Sequence, residues 1–386
     1  MVLTEPTTLQ PLLLEPVVVE RPWGGTRLRE TFGKGREHDG TPAPSGGPGR
    51  IGETWETGTD ARIVNGPLAG RSLGEAARAL GPALLGQRSR ATPHGDDAPF
   101  PLLAKLIDAR EVLSVQVHPD DAWAQAHLHQ PYGKTEAWHI IAADPGAVIY
   151  HGPREPVDRE TLRGALESGA IRDLLQPVPV RVGDSLFTPA GTIHAIGAGI
   201  VLYEIQQYSD VTFRLYDWDR RDDSGKPRQL HIDEGLATAD TTPATTHTIA
   251  PQPLDDRGER RLLLACRPFA LELLEPEGGL RLAGDAGTFQ ILTVLAGTVA
   301  IAAPGQKPVK AGTGRMVLLP AALADCELTP TPGCHVLRAY VPDLAADVVT
   351  PLRARGVPDE RIAQLGGGWP DRNDLLPLLD AGPRPA

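Results

Sequence analysis

The chain has 386 residues, 41% hydrophobic and 23% charged, which is enough for two globular domains each with its own core. A formal charge of −11 excludes a general nucleic-acid or acidic-membrane surface, which needs a basic footprint, yet leaves room for a small anion held by a local Lys or Arg. The 42 glycines and 38 prolines favour short strands and turns, so the fold class expected is mostly β.

At the N-terminus, residues 12–20 (LLLEPVVVE) read as one strand entering a turn, Arg21-Pro22-Trp23-Gly24-Gly25, with an exposed aromatic. The first residues lack the basic segment and apolar core of a signal peptide, and no apolar run reaches membrane-spanning length. With Cys266, Cys326 and Cys334 in no metal-type spacing and suited to a reducing compartment, a soluble cytoplasmic protein is expected. Residues 33–50 have loop composition, and order resumes at Ile51. Residues 72–86 (SLGEAARALGPALLG) carry apolar positions at helical spacing behind Ser72, a cap residue, and predict an inserted helix. Strand-like runs follow from Phe100, through VLSVQVH, and through EAWHIIAADPGAVIYHG with its Asp-Pro-Gly turn; His127 and His129 fall in a polar loop between them. Residues 156–175 predict two short helices, and the Thr-rich stretch 237–253 reads as a linker. The remainder is short β-prone runs between Gly and Pro, then helical patterns beyond Asp343 and a Pro-rich end.

Two stretches carry chemistry. In LSVQVHPDD, side chains two apart on a strand share a face, so Ser114, Gln116 and His118 point one way. Glu136 opens the next strand, and Lys134 faces its side if that strand has begun two residues earlier. The second stretch, Gly183 to His194, fits G-x5-P-x-G-x2-H and resembles the second signature of cupin barrels, whose Pro-Gly turn projects a histidine into the barrel mouth. The usual first signature, H-x-H followed shortly by a glutamate, is altered here to Gln116-x-His118, with Glu136 well downstream. Two imidazoles and a carboxylate suit zinc, and also ferrous iron in a facial triad; an amide oxygen adds a further ligand. Lys105, flanked by apolar residues, needs an open face or a buried negative partner. Glu204 by itself reads as an ordinary solvated strand carboxylate, and Trp23 as a packing turn or a wall of the site.

IGETWE, LSVQVHPDD, GKTEAWHII, PAGTIHAIG and DVTFRLYDWDR, in that order, resemble the type I mannose-6-phosphate isomerases in their short bacterial form, from about residue 15 to at least 235. The resemblance implies two cupin-type β-sandwich (jelly-roll) domains: a catalytic one over 1–240 with helical insertions, and a degenerate one over 241–386 with a helical tail. It implies one zinc ion held by Gln116, His118, Glu136 and His194. It also implies catalytic roles for Arg214, Lys134 and Glu204, and substrate contacts from Trp23, Glu53, Lys105 and Ser114. The expected substrate is a sugar phosphate, with no nucleic-acid or membrane partner; the oligomeric state stays open. Arg214 is suited to an oxyanion, and Lys134 to carrying a proton or contacting phosphate or hydroxyl. Many longer relatives have a tyrosine two residues after the second ligand histidine, where this chain has Ile196. After Pro320 come Ala321, Ala322 and Leu323, so no metal site is expected in the second domain. An iron-dependent cupin dioxygenase and a non-catalytic sugar-binding cupin are the alternatives.

Overall fold

The computed structural model describes residues 9–35, 50–91, 100–221 and 225–380. Their strands form sheets of eight, six, five and four strands, stacked as two cupin-type sandwiches. In the first, a six-stranded sheet runs Ser185–Thr188, Glu136–Ala143, Ile200–Gln207, Leu102–Ala109, Val17–Gly25, Ile51–Trp55. It faces a five-stranded sheet ordered Phe213–Tyr216, Val115–Val117, His194–Ile196, Val148–Pro153, Leu175–Pro179. The second sandwich sets the eight-stranded sheet on the four-stranded one over a dry core that includes Leu13, Leu274, Leu292, Val299, Val317, Leu328 and Val336.

Strand alternation assigns each face a task. On Leu102–Ala109, residues Leu102, Ala104 and Leu106 join Leu262, Ile291 and Leu318 in the apolar layer between the sandwiches. Ile107 and Ala109 face the other way and pack with Trp138, Ile140 and Leu202 inside the first sandwich, and Lys105 shares their parity. On the opposite sheet, Val115 and Val117 pack outward against Leu162, Leu166 and Ile171, leaving Ser114, Gln116 and His118 for the interior. The two helices expected over 156–175 supply that outer cover, Arg159–Glu167 and Ile171–Leu174, the first capped by Asp158.

Several expectations are corrected. Residues 12–20 are two strands, because Pro16 has no N–H to continue a ladder. Leu12–Glu15 pairs with residues 316–318 and with Arg62–Ile63, in the sheet of the second sandwich, whereas Val17 already pairs with Trp55 in the first. A division at residue 240 is therefore crossed by two N-terminal strands. Residues 21–25 are the end of strand Val17–Gly25, bent by register shifts, and Trp23 is turned inward at 6% exposure. Gly24 is required there: a Cβ would meet the backbone N of Gly52 at 2.5 Å.

The helix expected over 72–86 is broken at Gly81 into Leu73–Leu80 and Pro82–Leu85, with a full capping box between Ser72 and Glu75. His127 lies on helix Asp121–Leu128 rather than in a loop, and His129 lies just past it as its left-handed cap. The stretch 237–253 is no free linker: it ends helix Ile232–Thr238, bridges to Leu186 through Thr248, places His247 Nδ1 3.1 Å from His151 Nδ1, and enters strand Gln252–Pro253. Most of the loop composition at 33–50, His38, His94 and the Pro-rich end fall outside the described residues. The patterns beyond Asp343 do form helices, Leu344–Val349, Thr350–Ala354 and Asp359–Gln364. Among the described residues, no helix is long and apolar enough to cross a membrane.

Candidate active site

Antiparallel register lines up the interior side chains of the first sandwich. His194 lies directly across from Gln116, and Gln116 across from Arg214. On the facing sheet, Glu204 pairs with Lys105. His118, Glu136 and His194 converge from the two sheets so that one ligand atom of each lies within 4.8 Å of the others, all three buried. His194 Nε2 is 3.1 Å from Glu136 Oε1, and His118 Nε2 is 3.5 Å from Oε2.

Backbone carbonyls fix the imidazoles. His118 Nδ1–H donates to Val211 O at 2.8 Å and His194 Nδ1–H to Thr192 O at 2.9 Å, so each ring turns the lone pair of Nε2 toward Glu136. Burial, with the charge of Lys134 next, holds the His118 imidazole well below its ordinary value and therefore neutral. Burial pushes Glu136 upward, but Lys134, His118 and His194 together outweigh it and keep the carboxyl well below the usual range. The Nε2 atoms of two buried imidazoles face this carboxylate, and neither Glu136 oxygen is in a well-formed hydrogen bond. Such a donor set fits a divalent cation. Lys134 Nζ supplies a positive charge at the edge of the cluster, 2.8 Å from Glu136 Oε2 and 3.1 Å from His118 Nε2. Gln116 completes the group; its amide nitrogen lies 3.1 Å from His194 Nε2, and half a turn of the amide presents the oxygen instead.

Above this floor opens a cavity of about 340 Å³, lined by Trp23, Glu53, Lys105, Ser114, Gln116, Lys134, Glu204 and Arg214. Lys105 finds the negative partners that its apolar flanks demand: Nζ is 3.2 Å from Glu204 Oε1 and 3.6 Å from Glu53 Oε2. Glu204 is buried at 3% exposure, its other oxygen taken by Trp138 Nε1–H at 2.9 Å, so it is not the solvated carboxylate that its strand suggests in isolation. Burial raises Glu53, but Lys105 and Arg21, with Trp55, hold its carboxyl down at about 2. Ser114 makes only a long contact, 3.5 Å, to Gln116 Oε1. Arg214 donates from Nη1 to Gln229 O, while its buried Nε has no acceptor. Ile196, at the position where longer relatives carry tyrosine, is buried and presents an apolar side to the cavity.

Sequence reading missed Arg21, which pins Glu53 through Nε at 2.7 Å, and Trp138, which anchors Glu204. Arg21 shares strand parity with Trp23 and was legible in principle. Val211, whose carbonyl orients His118, was not, because 93 residues separate them and a carbonyl leaves no side-chain signal. A larger cleft of about 690 Å³ lies between Asp120–Ala122 and the C-terminal segment; Thr135, Pro189 and Ala190 line it, but none of the ligand residues does.

Two fused cupin sandwiches, one with a His–Glu–His group beneath a charged cavity, define a bicupin enzyme with a candidate metal centre. Residues 12–139 match the family profile described as phosphomannose isomerase type I, catalytic domain. The mannose-6-phosphate isomerase of Streptococcus mutans is 38% identical over 231 residues, covering 59% of this chain and 67% of that protein. Mannose-6-phosphate isomerase ManA of Bacillus subtilis is 37% identical over 257 residues, covering 64% and 74%. Among solved structures, the mannose 6-phosphate isomerase from Bacillus subtilis superposes with a TM-score of 0.74 at 30% identity, covering 86% of this chain and 99% of that one. The chain belongs to the type I phosphomannose isomerase family.

Proposed function

We propose that this chain is a zinc-dependent aldose–ketose isomerase that interconverts mannose 6-phosphate and fructose 6-phosphate through an enediol, with catalysis in the sandwich built mainly from residues 1–240. The observation that carries the reading is the convergence of His118 Nε2 and His194 Nε2 on the buried carboxylate of Glu136, at the floor of a cavity rich in fixed charge. Residues 241–386 supply a second sandwich that backs the first.

His118, Glu136, His194 and the amide oxygen of Gln116 would hold the ion, and a divalent ion there supplies Lewis acidity toward the sugar oxygens at C1 and C2. The chain's own groups do the rest. Isomerisation removes the proton on C2 of the aldose and returns one to C1, while a hydroxyl proton passes from O2 to O1. Lys134 Nζ, at the edge of the metal group, carries the carbon-bound proton: it takes the C2 proton as the free amine, which it must be when the aldose binds, and returns it to C1 as the ammonium. Arg214, one strand from Gln116, donates to the oxygen that becomes negative as the enediol forms. Lys105, set between Glu53 and Glu204, orients sugar hydroxyls, with Glu204 accepting from them. Trp23 closes one wall, and Ser114, which lines the cavity beside Gln116, contacts a sugar hydroxyl. The three cysteines are unpaired and buried, in keeping with a reducing, cytoplasmic setting.

Elemental analysis of protein purified without added metal, together with a coupled assay over a panel of hexose phosphates, tests this. About one zinc per chain and fastest turnover of mannose 6-phosphate are expected. Iron accompanied by oxygen uptake, or binding of the sugar phosphate without turnover, would overturn it.

A further inference from the structure

Strand Glu136–Ala143 sends Glu136 and Trp138 to the same face. The residue next inward from the carboxylate ligand is thus Trp138, the largest fully buried side chain among the described residues. Antiparallel register sets Trp138 beside Glu204, and Glu204 beside Lys105, so the three form one interior row across three strands. The indole Nε1–H donates to Glu204 Oε2 at 2.9 Å, and the ring meets the His194 imidazole edge to face, centroids 5.2 Å apart at 69°. One side chain therefore touches a carboxylate of the sugar cavity and a ligand of the candidate metal centre. Trp138 belongs to the apolar cluster of Ile107, Ile140, Leu186 and Leu202, where a phenyl ring would pack without the demand for an acceptor that a buried N–H brings. Indole is a donor only and carries no charge, so it fixes Glu204 Oε2 without neutralising the carboxylate. Buried Glu272 of the second sandwich is held instead by the guanidiniums of Arg338 and Arg260. The oxygen left over, Glu204 Oε1, is in no well-formed hydrogen bond; it lies 3.2 Å from Lys105 Nζ, and both residues line the cavity.

We propose that Trp138 is a positioning residue for both halves of the site: its N–H turns Glu204 so that Oε1 faces the bound sugar, and its ring sets the plane in which His194 presents Nε2 to the metal. The carbonyl of Thr192 fixes one point of the His194 ring, at Nδ1, and an edge-to-face neighbour fixes the tilt about that point. The first role rests on the isomerase reading; the second rests on the metal centre alone.

Trp138→Phe keeps a ring and loses the donor, whereas Trp138→Leu loses both. Calorimetry on the zinc-loaded protein reads binding of sorbitol 6-phosphate, which has the hydroxyls of the sugar phosphate but no carbonyl to isomerise. Trp138→Phe should weaken this binding about 10-fold in the wild-type background, and less than about 2-fold in a Glu204→Ala background, where no carboxylate is left to orient. Equal losses in both backgrounds, the result of packing alone, or no loss in either would overturn the first role. Competition with a chelator reads the second: zinc affinity should fall about 10- to 100-fold in Trp138→Leu and less than about 3-fold in Trp138→Phe. Wild-type zinc affinity in Trp138→Leu, or an equal fall in both variants, would overturn it. If Trp138→Leu fails to fold, Trp138→Phe with and without Glu204→Ala carries the test. A wild-type protein that holds zinc but isomerises no hexose phosphate would refute the isomerase reading, and the chelator comparison would still decide the role of Trp138.

Discussion

In the first sandwich the turn from Pro189 to Gly191 hydrogen-bonds through Gly191 N–H to His118 O at 2.8 Å and delivers His194 beside Gln116. In the second, Pro320 opens a turn of similar origin in sequence, but Ala321 and Ala322 donate to the carbonyls of Leu84 and Ala83 on the inserted helix Pro82–Leu85. Five residues past each proline stand His194, fully buried, and Asp325, partly exposed and paired with Arg281. The buried carboxylates differ in the same sense. Glu272 in the second sandwich is saturated by Arg338 at 2.8 Å, Tyr340 at 2.9 Å and Arg260 at 3.0 Å. Glu136 keeps both oxygens outside any well-formed hydrogen bond. A carboxylate whose lone pairs are all taken holds a fold together; one left short can receive an ion. The contrast between the sandwiches is one of acceptor capacity left unspent.

Substitutions that respect or violate this contrast measure it. The largest effect belongs to His194→Ala, which should abolish stoichiometric metal and lower turnover by at least about 10³-fold. Asp325→Ala at the matching position should change neither; metal retained in the His194 variant, by elemental analysis, would break the assignment. Next comes Glu272→Gln, which leaves Arg338 and Arg260 poorly compensated. It should cost about 3–5 kcal/mol in denaturant unfolding while metal content stays at the wild-type value. The smallest effect is expected for Lys105→Met, a loss of roughly 10- to 100-fold in turnover, because it removes a positioning charge and spares the ligand set. Its clearest signature is acid stability. Glu53 is depressed from its ordinary value of 4.5 to about 2, so in the wild type its contribution is present above pH 4.5 and is lost as pH falls toward 2. Without Lys105 that contribution shrinks, and unfolding monitored from pH 5 to pH 2 should show a shallower decline attributable to Glu53.

Much of this site could be read before any coordinates. Period-two spacing put Ser114, Gln116 and His118 on one face, and the Pro-Gly turn picked out His194 among 11 histidines. Lys105 announced its need for a buried anion through its apolar neighbours. What stayed hidden was non-local. Pro16 looked like a residue inside one strand, yet it is where the chain passes from one sandwich to the other. Trp23 sat in a Pro-Gly context that suggested exposure, and only the bent strand turns it inward. The Thr-rich stretch 237–253 had the composition of a tether, but its backbone is tied to Ser185 and Leu186 of the first sandwich and to Leu262 of the second. Alternation within a strand is local physics, whereas the choice of partner sheet depends on residues hundreds of positions away.

The placement of Leu12–Glu15 has a consequence for how the protein is made. Leu13 pairs with Val317, about 300 residues later in the chain. At roughly 5–20 residues per second of synthesis, that partner arrives some 15–60 s after the strand leaves the ribosome. The strand thus waits through the production of about 300 further residues, and the closing of the second sandwich is also the event that secures the entry to the first. Completion of the two halves is coupled in time through three leucines.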